Sequence, residues 1–194
     1  MDREVALETE VLRKIKPKPE EYVRVRNVYE KIKELLKVAL EKEGIDAEVE
    51  LEGSVAKDTW ISGDVDLDVF VLYPKDLGRE WLKTHGFNII LNATKDFPQT
   101  IAYAEHPYVK VTVDNIEVDI VPAFKLKDPL EAETVVDRTP FHTRYVISKL
   151  SEKQRDDVRL LKKFMKTIGV YGAEIKVSGF SGYLIELLVI YYGS

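Results

Sequence analysis

The chain has no cysteine, which removes disulfides, thiolate zinc sites and thiol nucleophiles together. It also lacks any apolar run of about 18 residues, the least that a membrane span requires, so no membrane partner is expected. The opening residues Met1-Asp2-Arg3-Glu4 carry acids where a secretory leader needs an apolar stretch, and a cytoplasmic protein is expected. An excess of positive charge is missing as well. The formal charge is −5, which argues against a protein that coats nucleic acid by charge alone. Amides are scarce: the only glutamines are Gln99 and Gln154, beside 29 basic and 34 acidic residues. Such depletion of thermolabile residues is a heat-adapted tendency.

What is present suffices for a folded core. The 194 residues are 45% hydrophobic and 32% charged, the balance of a globular chain. Helical patterning covers Asp2 to Ile15, stops at Pro17 and Pro19, and resumes near Glu20, where Val25, Val28, Ile32, Leu35, Leu36, Ala39 and Leu40 recur at helical spacing and Gly44 offers a C-cap. Strand patterning covers Ala47–Leu51, Val65–Tyr73, Ile101–Glu105, Val109–Val113 and Ile116–Val121, with Asp114-Asn115 suited to a tight hairpin turn. A short helix is expected over Val55–Trp60 and a longer one over Leu77–Ala93. From Phe141 onward the pattern is helical, with segments at Asp156–Ile168 and Ser181–Tyr192. The expected fold class is therefore α+β, a mixed sheet backed by helices and followed by the start of a helical domain. The last, apolar helix needs a partner surface, as in a piece of a longer protein.

The sharpest chemical signal is Asp66-Leu67-Asp68. On a strand of period two, Asp66 and Asp68 share one face while Leu67, Val69 and Val71 take the other. Neighbouring carboxylates repel and resist desolvation unless a cation sits between them, and Mg²⁺ meets that need with a few carboxylates, water and phosphate oxygens. A solvated edge face is the alternative, and Asp64, of the same parity, supports it. Upstream, Gly53-Ser54 ends a strand where a backbone without Cβ and a hydroxyl can approach phosphate. Downstream, Asp119 lies in the alternating run Glu117–Val121. It supplies a third carboxylate for a two-metal clamp, although Glu117 has the same parity and spacing does not choose between them.

Gly53-Ser54, Asp66-x-Asp68 and Asp119 together resemble the polymerase beta-like nucleotidyltransferase superfamily. Within it, Tyr103–Val109, Val136–His142, Tyr171-Gly172-Ala173-Glu174 and Gly179–Tyr183 are similar to the archaeal (class I) CCA-adding enzymes. The resemblance runs from about Glu50 to Ser194. It implies a nucleotidyltransferase catalytic domain over residues 1–138 and the beginning of a helical domain over 139–194, continuing further in the family. It also implies template-independent addition or repair of the tRNA 3′-terminal CCA from CTP and ATP, with Mg²⁺ held by Asp66, Asp68 and Asp119. By the same analogy Asp119 orients or deprotonates the attacking hydroxyl. Ser54, Lys57, Thr139, His142, Lys162 and Tyr171 match nucleotide contacts, and a homodimer is a possible assembly. Two positions depart from the pattern. Lys57 stands where relatives often carry Arg, which turns a fork into a point charge, and Asp66 stands where relatives carry Glu.

Charge distribution adds support. Arg144 to Lys166 holds eight lysines and arginines against three acids inside an acidic chain; this local reversal suits phosphate binding, and a solvated helix face is the other reading. Tyr171 could stack on a base or fill the core. His142 is ambiguous on residue type alone. Rival functions are another transferase of the superfamily, oligoadenylate synthetase-like or acting on a small molecule, and a truncated, non-catalytic RNA- or nucleotide-binding fragment.

Overall fold

Two prolines, Pro17 and Pro19, separate helix α1 (Arg3–Ile15) from the longest helix, α2 (Pro19–Glu43). Pro19 occupies the first turn of α2, where a missing N–H leaves no bond unmade. Gly44 closes the helix at φ 68°, and its N–H donates to Glu41 and Leu40 carbonyls. The computed structural model describes residues 3–172 and 179–193. Ala173 and Glu174 of the motif at 171, and Asp2 of the first expected helix, lie outside the described residues.

Five strands form one sheet: β1 (Glu48–Glu52), β2 (Asp66–Pro74), β3 (Gln99–Tyr103), β4 (Pro107–Val113) and β5 (Ile116–Lys125), in the order β1-β2-β5-β4-β3. β2 and β5 run parallel and the other neighbours antiparallel. The hairpin between β4 and β5 turns at Asp114 and Asn115, with φ 50° and 60°. That pair of positive angles is what a two-residue turn of this hand requires. β5 runs on past Val121 through Pro122. Pairing with β4 stops at Ile120, so the missing Pro122 N–H interrupts no ladder there, and the Pro122 carbonyl instead meets His106 Nε2 at 2.6 Å.

Alternation gives the sheet two different faces. Leu67, Val69, Val71 and Tyr73 of β2, with Val118 and Ile120 of β5, are buried against Val25, Val28, Ile32 and Leu36 of α2 in the main core. The opposite face is split. Phe70, Leu72 and Ala123 pack with Val121 and Val136, while Asp66, Asp68, Glu117 and Asp119 occupy the starts of the same strands.

Several helical boundaries differ from expectation, among them the start of the helix Glu152–Thr167, at Glu152 rather than Asp156. The turn after β1 is the single-turn helix α3 (Gly53–Ala56), so it begins at Gly53 rather than Val55. Beyond β2, helical structure resumes as α4 (Arg79–Trp81), passes a π-helical turn at Leu82–Gly86 and continues as α5 (Phe87–Ala93). Helix α6 (Val135–Lys149) starts well before Phe141 because Thr134 and Asp137 form a capping box around its first turn. Pro140 is therefore inside the helix rather than ahead of it. Asp137 also binds Arg79 at 2.7 Å, fastening α6 to the sheet domain. Helices α7 (Glu152–Thr167) and α8 (Gly182–Tyr192) complete a second core in which Val146, Leu150, Val158, Ile185 and Val189 are buried. α6 thus joins the sheet to this second core, with Phe141 packed against the main core, Val136 on the opposite sheet face and Val146 in the second core. Among the described residues no helix is long and apolar enough to cross a membrane.

Candidate active site

The parallel register of β2 and β5 sets Asp66 opposite Glu117 and Asp68 opposite Asp119, so the sequence-predicted carboxylates stand together in one row. Asp68 also faces Glu52 across β1. Burial, then the charges of Asp119 and Asp66, push the Asp68 carboxyl up to about 6. Burial and neighbouring acids raise Asp66 as well, Glu117 and Asp119 acting most strongly. Burial raises Asp119, against the pull of Lys110. Lys110 Nζ on β4 lies 3.0 Å from Asp119 Oδ1 and 3.8 Å from Glu117 Oε2. One half-buried lysine for four acids leaves the row short of positive charge, which is the condition a bound cation relieves.

The turn that follows β1 is built against this row. Gly53 has φ 65°, a conformation costly for residues with a Cβ. A Cβ placed there would lie 1.8 Å from Asp68 Oδ2. Glycine is thus required twice, for the backbone angle and for the space that Asp68 fills. Beyond it, Ser54 and Lys57 follow on one short turn, with Lys57 at its end.

A cleft of about 320 Å³ opens beside the acid row. Gly53, Ser54, Lys57, Lys162, Tyr171 and Glu186 line it together with Asp66, Asp68 and Asp119. The cleft therefore has an acidic end on the sheet and a basic end between the Gly53 turn and helices α7 and α8. Four of the six expected nucleotide contacts, Ser54, Lys57, Lys162 and Tyr171, border it. Thr139 lies elsewhere, in a smaller cavity of about 230 Å³ with His106, Tyr108 and Val121 on the other side of Asp68 and Asp119. His142 lines neither of these two cavities; its ring stacks on Tyr183 with centroids 4.1 Å apart. Burial first, then Lys57 and Arg138, lower its pKa, so it is neutral at pH 7.

The basic segment at 144–166 is not a free cationic face. Arg144 pairs with Glu50 at 3.8 Å and Arg155 with Asp58 at 3.7 Å. Lys166 pairs with Asp64. Arg159 is buried; it binds Asp58 and Asp156 and donates to the carbonyls of Trp60 and Asp58. Lys162 Nζ donates to the carbonyl and hydroxyl of Thr59, both at 3.1 Å. These side chains clamp the segment after Lys57 to the helical part of the molecule. Two residues that matter here were not among the sequence candidates, Lys110 and Glu186. Lys110 could have been found as the cation of opposite parity to Val109, Val111 and Val113. Glu186 is the only charged residue of α8.

A family profile described as "Nucleotidyltransferase domain" matches residues 32–142, a span that holds the Gly53 turn and the whole acid row. The chain belongs to this nucleotidyltransferase family. A second profile, "tRNA nucleotidyltransferase, second domain", matches residues 156–194. Among curated relatives, the CCA-adding enzyme of Saccharolobus shibatae is 55% identical over 97% of this chain and 44% of its own length. That of Sulfurisphaera tokodaii is 51% identical over 98% of this chain, again 44% of its own length. The chain thus spans less than half the length of these relatives. A solved structure of a cytoplasmic RNA terminal U-transferase superposes with a TM-score of 0.68 at 20% identity, over 96% of this chain and 52% of that one. This nucleotidyltransferase therefore has the polymerase beta-like fold.

The acid row fits a divalent cation. Its carboxylates are mutually repelled, and the Gly53 turn leaves Asp68 room at the cleft. Among the described residues no group of three acids or histidines closes into a cage. An open site of a few carboxylates completed by water and substrate oxygens is the arrangement Mg²⁺ favours.

Proposed function

We propose that this chain carries the catalytic centre of a tRNA CCA-adding enzyme, transferring nucleotidyl groups from CTP and ATP to the 3′ end of tRNA without a template. The observation that carries the reading is the pairing of Asp68 with Asp119 across β2 and β5, at the mouth of a cleft whose far end holds Lys57 and Lys162. Its identity with CCA-adding enzymes over nearly the whole chain supports the choice of reaction.

In this reading the nucleotide's phosphates point toward Lys57 and Lys162, with Ser54 and the Gly53 turn alongside. Held by Asp66, Asp68 and Asp119, Mg²⁺ would lower the pKa of the tRNA 3′-hydroxyl and neutralise charge on the phosphates. The hydroxyl oxygen forms a bond to the α-phosphorus, and the bond to the bridging oxygen breaks. Pyrophosphate leaves with that electron pair toward the lysines, where positive charge stabilises it. Asp119 borders both cavities and is the group placed to orient the hydroxyl and accept its proton.

The test is incubation of the chain with Mg²⁺, labelled CTP or ATP, and a tRNA ending before CCA. Metal-dependent incorporation into the tRNA is expected. Labelling of a nucleotide or small-molecule acceptor with none in tRNA would contradict this reading.

A further inference from the structure

Helix α8 carries one charged residue in an apolar stretch, Glu186, and it is completely buried. Its carboxylate accepts a hydrogen bond from Lys57 Nζ at 2.6 Å and another from Thr59 Oγ1 at 2.7 Å. Lys162 Nζ lies 3.7 Å away and is held by Thr59 from the other side. Lys57 and Lys162 are themselves only 8% and 3% exposed. An ion cluster needed only for folding would have no reason to border a cleft, since buried charge pairs are poor stabilisers compared with apolar packing. This cluster lines the cleft opposite the acid row.

We propose that Glu186 is a positioning residue for the nucleotide's phosphate tail, holding the ammonium groups of Lys57 and Lys162 side by side at the end of the cleft that faces Asp68. The inference rests on the nucleotide reading above. It makes the docking of α8 on the Gly53–Thr59 segment a requirement for phosphate binding, although α8 contributes no side chain to the acid row.

The electrostatics give the proposal a signature. Three charged groups face Lys162: Glu186 from α8, Lys57 from the turn after β1, and Lys166 from its own helix. Burial, opposed by Glu186 and aided by Lys57 and Lys166, brings the Lys162 ammonium down to about 8. Without the carboxylate, two lysines would share a buried site and Lys162 would release its proton at lower pH still. A lysine binds phosphate in its charged form, so the loss of affinity must grow as pH rises.

Calorimetric titration with inorganic pyrophosphate, without metal, at pH 6.0 and 7.5 tests this. Glu186→Gln should bind about as tightly as wild type at pH 6.0 and about threefold more weakly at pH 7.5, the ratio that a fall of one pKa unit from about 8 produces there. An equal ratio at both pH values, whether unity or a uniform loss, would overturn the proposal, because a structural defect has no reason to follow a proton. If Glu186→Gln does not fold, Thr59→Val keeps the shape while removing the hydroxyl that joins Glu186 to Lys162. It should show the same pH-dependent sense with a smaller effect at pH 7.5, and a pH-independent ratio would count against the proposal equally. Failure of the wild-type protein to bind pyrophosphate would remove the nucleotide reading, and this inference with it.

Discussion

The two ends of the cleft are built in opposite ways. At the acidic end, Asp66, Asp68 and Asp119 sit two residues apart on a strand or directly across from one another. Their charges repel, and among the described residues the only lysine or arginine within salt-bridge distance of them is Lys110. At the basic end, Lys57 and Lys162 come from segments far apart in the chain and are neutralised in part by Glu186. At one end like charges face each other; the other is hydrogen-bonded within the protein. The difference teaches that unpaired charge is concentrated on the acids, where the proposed reading places a cation, while the lysines are held in place by the protein itself.

Removing charge from the acidic end should have the largest effect. Asp68→Asn is expected to lower turnover by about 10²-fold or more while the fold persists, since a ligand to the metal is lost; circular dichroism and single-turnover rates on the same sample check both halves. Gly53→Ala should come next. The added methyl meets Asp68 Oδ2, and displacing a reacting geometry by about 1 Å costs on the order of 10²-fold. Here kcat should fall more than nucleotide KM rises. A Gly53→Ala enzyme with normal kcat would show that Asp68 is free to move.

At the basic end the loss should appear in binding instead. Lys57→Ala removes a charge-assisted contact worth about 1.5–3 kcal/mol, so nucleotide KM should rise by about tenfold or more with kcat less affected. If kcat falls and KM does not, the division of labour between the two ends is wrong.

The acidic end was legible because a strand's period of two is written in the sequence. Leu67 and Val69 mark one face, so Asp66 and Asp68 must share the other, and the parity of Asp119 follows from Val118 and Ile120. The register of β2 with β5 keeps both Glu117 and Asp119 in the row; of the two, Asp119 borders the cleft. The basic end was not legible because no local pattern encodes it. Lys57 meets Glu186 only after α8 folds back across the Gly53 turn, and the charge surplus at 144–166 does not say which of its cations reach the cleft. Five of the segment's eight cations, Arg144, Arg155, Arg159, Lys162 and Lys166, face Glu50, Asp58, Asp64, Asp156 and Glu186, while Lys149, Lys153 and Lys163 are exposed. A hint did exist, since a lone acid in the apolar run of α8 cannot be buried without cations. The start of α6 was misjudged for a local reason: Pro140 reads as a helix boundary, but the Thr134–Asp137 capping box begins the helix ahead of it.

The smallest effect concerns stability. A carboxyl whose folded pKa is raised, as for Asp68 at about 6, contributes stability that is complete below its unfolded pKa and is lost as pH rises through the folded value. Mg²⁺ binds the ionised form and should offset that loss. The rise in Tm on adding Mg²⁺ is therefore expected to reach a few degrees at pH 7.5 and to shrink toward zero at pH 5. A gain independent of pH would place the ion away from this row.

The most direct measurement of the central claim is Mn²⁺ binding followed by electron paramagnetic resonance at pH 7.5, on wild type and on Asp68→Asn. Saturable binding by the wild type that weakens at least about tenfold in the variant is the predicted result. Equal binding by the two proteins would contradict the account, because the repelled carboxylates of β2 and β5 would then not be the cation site.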